Sequence, residues 1–144
     1  MGDFRTDRTR YPTHPAHVKS ARDRVSAVAR EWGLKASMIE SLCLIASELV
    51  TNAMLHAGAP RGREIGVTLV LSPDCVRLEV RDAGDTLPAV REPTNDDQHG
   101  RGLVMVGLLA DRWDVSTQVV GKTVFVELDL DPSTPAKSNG VAHV

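Results

Sequence analysis

Aromatic residues make up only 3% of this 144-residue chain: two Trp, one Tyr and two Phe. A core must therefore be built from Val, Leu, Ala and Ile. Cysteine is scarcer still. Cys43 and Cys75 both fall in apolar patterns and form neither a metal-ligand spacing nor a disulfide framework, so the expected compartment is the cytoplasm. No charge sign dominates. Seventeen Lys and Arg face nineteen Asp and Glu, a formal net charge of -2, whereas a nucleic-acid reader is usually more basic. No direct nucleic-acid partner is expected. No continuous apolar run approaches the length needed to cross a bilayer, and Met1-Gly2-Asp3-Phe4-Arg5 lacks the apolar core of a signal peptide. No membrane partner is expected either.

What is there is ordinary for one globular domain. Hydrophobic residues at 42% and charged residues at 25% fit that class, and the length allows one real core. Residues 1–13 are charged and end near Pro12, as an edge strand or a loose arm. Val18, Ala21, Val25, Val28, Ala29 and Trp32 have helical spacing, with Pro15 suited to the first turn and Gly33 to the stop. Ser37 with Glu40 predicts a capping box for a second helix running to about Ala57, where Gly58-Ala59-Pro60 ends it. The period then changes to two. Residues 65–71 and 76–81 read as strands joined by Ser72-Pro73-Asp74, with Val76, Leu78 and Val80 facing inward. Residues 82–99 read as a loop, a helix is expected from Leu103 to about Arg112, and strands over 113–119 and 123–130 turn at Gly121-Lys122. The segment 131–144 has no periodicity and reads as a disordered tail. This order of elements predicts an α+β fold: a two-layer α/β sandwich, mostly antiparallel, with helices on one face.

Three segments carry candidate chemistry. Glu48 and Asn52 are four apart on the second helix, so their side chains are neighbours, and His56 continues the row. A carboxylate and a carboxamide so aligned can hold hydrated Mg²⁺ and order a nucleophile. The same row also fits a solvated polar helix face, and His56, which could touch a phosphate or the metal, also fits a helix-end histidine bonded to backbone. Asp82 follows a strand and can accept a hydrogen bond from an exocyclic amino group, while Gly84 lets the backbone approach a flat ring. An ordinary turn uses the same residues. Gly100-Arg101-Gly102-Leu103 opens an apolar helix, where free N–H groups and a guanidinium can bind phosphate. A glycine-rich loop without a ligand has the same composition. Thr123 starts the last strand, either in a polar network under a base or simply as a β-former.

Together these residues resemble the GHKL ATPase superfamily, and within it the single-domain anti-sigma-factor serine/threonine kinases. Glu48-Leu49-Val50-Thr51-Asn52-Ala53 resembles the N-box. Asp82-Ala83-Gly84, with Pro88 beyond it, resembles the second box, and His99-Gly100-Arg101-Gly102-Leu103 the lid box. Ala110-Asp111-Arg112-Trp113 and Gly121-Lys122-Thr123-Val124-Phe125 resemble further stretches of this branch. The resemblance covers about residues 14–130 and implies a Bergerat ATP-binding fold. It implies Asn52 as ligand of a Mg²⁺ that bridges the phosphates, and Glu48 as general base or orienter of the attacking hydroxyl. Asp82 and Gly84 would hold the adenine, with Thr123 in support. Gly100, Arg101 and Gly102 would wrap the triphosphate, with Leu103 after them. One position departs: Thr86 stands where the second box has its second glycine, and its β-branch restricts the backbone.

The expected function is therefore an ATP- and Mg²⁺-dependent serine/threonine protein kinase that also acts as an anti-sigma factor. Its expected partners are a STAS-domain antagonist and a sigma factor, with a homodimer formed through the face away from nucleotide. No room is seen for the phospho-acceptor helices of a histidine kinase or the transducing domains of gyrase and Hsp90. The alternative is a non-catalytic module that binds its partner according to nucleotide state.

Overall fold

The computed structural model describes residues 4–56, 64–82, 104–117 and 121–130. Strand β1 (Arg5–Pro12) leads to helices α1 (Ala16–Glu31) and α2 (Ala36–His56). Strands β2 (Glu64–Leu71) and β3 (Cys75–Asp82) follow, then a short helix α3 over 104–109, and strands β4 (Arg112–Thr117) and β5 (Lys122–Asp129). The strands form one five-stranded sheet in the order β1-β2-β3-β5-β4, and every pairing is antiparallel. Helices α1 and α2 pack on each other, α2 lies on β3 and β2, and α1 touches β1. This is the α+β two-layer sandwich expected from the element order.

Each element has a local cause. The helix α1 ends where expected. Gly33 has φ +78°, and its N–H donates to the Arg30 carbonyl at 3.0 Å while that of Leu34 donates to Ala29 at 3.1 Å. That is the Schellman closure, which glycine makes without strain. At its start the His14 imidazole Nδ1 accepts from the Ala16 N–H at 3.1 Å. The helix α2 starts two residues earlier than the capping box predicts. The Lys35 carbonyl already accepts from Met38 and Ile39, each at 3.0 Å, so Ser37 lies inside the first turn. Between β2 and β3, the Ser72 N–H and hydroxyl both reach the Cys75 carbonyl, at 2.9 and 3.1 Å. The helix after residue 103 is shorter than expected. The Ala110 N–H donates to Val106 at 2.8 Å, but the next N–H, Asp111, donates across to the Glu127 carbonyl at 2.9 Å. Sheet pairing takes the chain before another helical turn can form.

The core is aliphatic, as aromatic scarcity requires. Val25, Val28 and Ala29 of α1 meet Leu42, Ile45, Ala46, Leu49 and Val50 of α2 over Ile65, Val67, Leu69, Val76, Leu78, Val80 and Val126. At about 25 cal/mol per Å² of apolar area, this burial is the main stabilising term. It also changes one reading of α2. Residues Ala36–Leu55 are long and apolar enough, by length and composition, to cross a membrane. No unbroken apolar run marks this segment, because Glu40 and Glu48 interrupt it, yet its mean hydropathy is still 1.4. Here α2 is a core helix that packs beside α1 and on the sheet.

The other face of the sheet carries charge. The Arg77 guanidinium bonds Glu79 at 2.7 Å and Glu127 at 3.0 Å and stands 3.8 Å over the Phe125 ring. Arg112 bonds Glu127 at 2.7 Å and also Asp129. At the far edge, Asp7 of β1 accepts two bonds from Arg24 of α1, tying that strand to the helix layer. Among the expectations that lie outside the described residues are the helix stop at 58–60, the loop with Thr86 and Pro88, and the tail after 131.

Candidate functional site

The helix α2 has three sides, set by its 3.6-residue turn. Leu42, Ile45, Ala46, Leu49, Val50 and Ala53 form the buried stripe. On one flank Cys43 meets α1, its thiol donating to the Arg22 carbonyl at 3.9 Å. Burial pushes that thiol above its ordinary pKa, with Ser26 and Arg22 pulling back. Glu48 and Asn52 lie on the opposite flank, beside Ile45 and Leu49, and both are half-buried. They are one turn apart, as their spacing predicts. The site residue His56 is the last of α2.

At the sheet, Asp82 is the last residue of β3 and is only 6% exposed, the one charged residue buried with the core among the described residues. Its neighbours on the same face, Val76, Leu78 and Val80, are buried where α2 packs. An ordinary turn aspartate would face water. The register pairs Asp82 with Ile65 on one side and with Lys122 on the other, while Arg81 pairs with Thr123. Directly opposed residues of an antiparallel pair project to the same face. Thr123 therefore shares the outer face with exposed Arg81 and with Ser116. The expectation that its hydroxyl supports a base at Asp82 is corrected by this register; Lys122 is the β5 residue beside Asp82. The signal was present in the sequence. Val124, Val126 and Leu128 set the inward alternation of β5, and counting back by two reaches Lys122.

A match to the histidine kinase-like ATPase domain spans residues 11–127, from the end of β1 into β5. The chain belongs to the histidine kinase-like ATPase domain family. A curated relative, the serine-protein kinase RsbW of Oceanobacillus iheyensis, is 25% identical over 131 residues, covering 82% of this chain and 83% of its own. The GHKL resemblance drawn from the three segments is thereby established, and with it an ATP-binding regulatory domain.

Of the expected site residues, Glu48, Asn52, His56, Asp82 and Thr123 fall on described elements, and α2, which carries Glu48 and Asn52, packs on β3, which ends at Asp82. Gly84, Gly100, Arg101, Gly102 and Leu103 lie outside the described residues. Among the described residues no three His, Cys, Asp or Glu side chains converge on a metal position. The Asn52 side chain carries a neutral amide oxygen, a donor type that Mg²⁺ accepts alongside waters and phosphate oxygens. The stretch Ala110-Asp111-Arg112-Trp113 has a structural role in this fold: the Asp111 carboxylate accepts from the Asp129 N–H at 2.7 Å, and Arg112 bridges Glu127 and Asp129.

Proposed function

We propose that this domain binds Mg-ATP between α2 and the end of β3 and transfers the γ-phosphate to a serine or threonine hydroxyl of a protein partner. One observation carries the reading. A buried carboxylate, Asp82, ends the strand under α2, while Glu48 and Asn52 line the α2 flank that α1 leaves uncovered. Asp82 accepts from the adenine amino group, and Gly84 follows it along the ring. Asn52 donates its amide oxygen as a metal ligand, and Gly100, Arg101, Gly102 and Leu103 close over the phosphates. Magnesium, when bound, neutralises the β- and γ-phosphate oxygens. Glu48 accepts or orients the proton of the attacking hydroxyl. Phosphoryl transfer asks little covalent work of the protein, so positioning by a rigid core helix is the relevant contribution.

The similarity to a serine-protein kinase supports a protein hydroxyl as acceptor. The acceptor we assign is a STAS-domain antagonist, the sequestered partner a sigma factor, and the compartment the cytoplasm. The test is incubation of the full chain with γ-labelled ATP and a cognate STAS protein. Label on the partner supports the kinase. Bound nucleotide with no label on the partner leaves a nucleotide-dependent binding module and removes catalysis. Asn52→Ala should abolish Mg-ATP binding, whereas Glu48→Gln should keep binding within about threefold and lower transfer by roughly 10² or more. Equal Mg-ATP affinity in wild type and Asn52→Ala would sink the assignment.

A further inference from the structure

Across the three middle strands β2, β3 and β5, the inward face of the sheet is aliphatic row by row until its last. One row across β2, β3 and β5 is Val67, Val80 and Val124; the next is Ile65, Asp82 and Lys122. In that terminal row a buried acceptor stands directly opposite a half-buried donor. Opposed residues in an antiparallel pair have Cβ atoms about 4.5–5.5 Å apart, so the two head groups can address one small ligand edge. Gly121 fixes this placement. Its φ of +78° makes a turn that only glycine takes readily, and the following residue enters β5 facing inward. Among the described residues Lys122 has no ion pair or side-chain hydrogen bond to hold it elsewhere.

The chemistry of the pair is directional. An ionised carboxylate only accepts hydrogen bonds, and an ammonium only donates them. The adenine edge presents a donor, the exocyclic N6 amino group, next to an acceptor, the ring nitrogen N1. We propose that Lys122 is a specificity residue that donates to adenine N1 while Asp82 accepts from N6, so that two strands read the base at two adjacent atoms. This rests on the ATP-site reading above. Thr123, on the outer face, takes no part in it.

The test is a cycle of residue and ligand atom. Wild type, Lys122→Met and Lys122→Arg are titrated calorimetrically, as the full chain, with Mg-ATP and with its 1-deaza analogue, in which N1 is a C–H. Methionine keeps most of the stem volume and removes the donor. Wild type should prefer ATP over the analogue by roughly ten- to a hundredfold, the range for a hydrogen bond to a charged group. Lys122→Met should bind the two ligands equally, and Lys122→Arg should restore part of the preference. If Lys122 serves only as a counter-ion to Asp82, Lys122→Met shifts both affinities together and keeps the wild-type ratio, which overturns the proposal. A wild type that binds both ligands equally also overturns it while leaving the Asp82 site standing. A wild type that binds neither removes the ATP site itself. Circular dichroism of each variant confirms that it is folded.

Discussion

Asp82 ends a strand whose other inward residues are all valine or leucine. A carboxylate there bears a desolvation cost that a valine would not, so its retention needs a polar ligand or partner to offset it. If that ligand is the adenine amino group, the sign of the hydrogen bond can be reversed. Inosine triphosphate carries a carbonyl oxygen where adenosine triphosphate carries N6. The wild-type chain should reject inosine triphosphate, because two acceptors would face each other. Asp82→Asn offers an NH₂ donor as well as an oxygen. It should bind ATP roughly tenfold more weakly and narrow the gap between the two nucleotides. Competitive displacement of a fluorescent ATP analogue measures both constants. A gap unchanged in Asp82→Asn would separate Asp82 from the base.

Among elements, the ladder on the outer face of β3, β5 and β4 makes a distinct prediction. Hydrogen bonds from Arg112, then those from Arg77, hold the Glu127 carboxyl below its ordinary value of 4.5, against partial desolvation. A carboxyl depressed in the folded state stabilises fully above its unfolded value and loses that contribution as pH falls through its folded value. Glu127→Gln should therefore cost roughly 1 kcal/mol at pH 7. The difference from wild type should shrink to nothing as pH falls below the carboxylate range, and should weaken in high salt. Urea midpoints across a pH series would register it; a difference that grows toward acid would contradict the ladder. Elements also divide what was legible in the sequence from what was not. Period-two alternation placed β2 and β3, and Gly33 stopped α1, because both signals are local. The end of α3 was not legible, since Asp111 leaves the helix for a carbonyl of β5. Nor was the burial of Asp82, because a strand-end Asp followed by Gly has the same local pattern whether it turns in water or sits under a helix. The face of Thr123 follows from register, a property of two strands, and only the alternation of Val124, Val126 and Leu128 hinted at it.

Taken whole, the described residues share one core that runs through both layers, and α2 belongs to that core while carrying the residues proposed to hold the nucleotide. Leu42, fully buried, and Glu48 stand on the same helix, so stability and ligand binding should be coupled. Leu42→Ala leaves a cavity under both layers and should cost about 2–5 kcal/mol, a large share of the roughly 5–15 kcal/mol that a domain of this kind has. A nucleotide that binds only the folded state returns part of that loss. At a hundred times its dissociation constant it contributes about 2.7 kcal/mol, which for this length raises the unfolding midpoint by roughly 8–10 °C. Mg-ATP should therefore rescue Leu42→Ala by a similar amount and keep its unfolding a single transition. It should leave Leu42→Ala combined with Asn52→Ala where it was, because the second change removes the metal ligand and not the core. Thermal melts of wild type, Leu42→Ala, Asn52→Ala and the double variant, with and without Mg-ATP, decide the matter. Equal rescue of the single and double variants would show that the nucleotide binds away from α2.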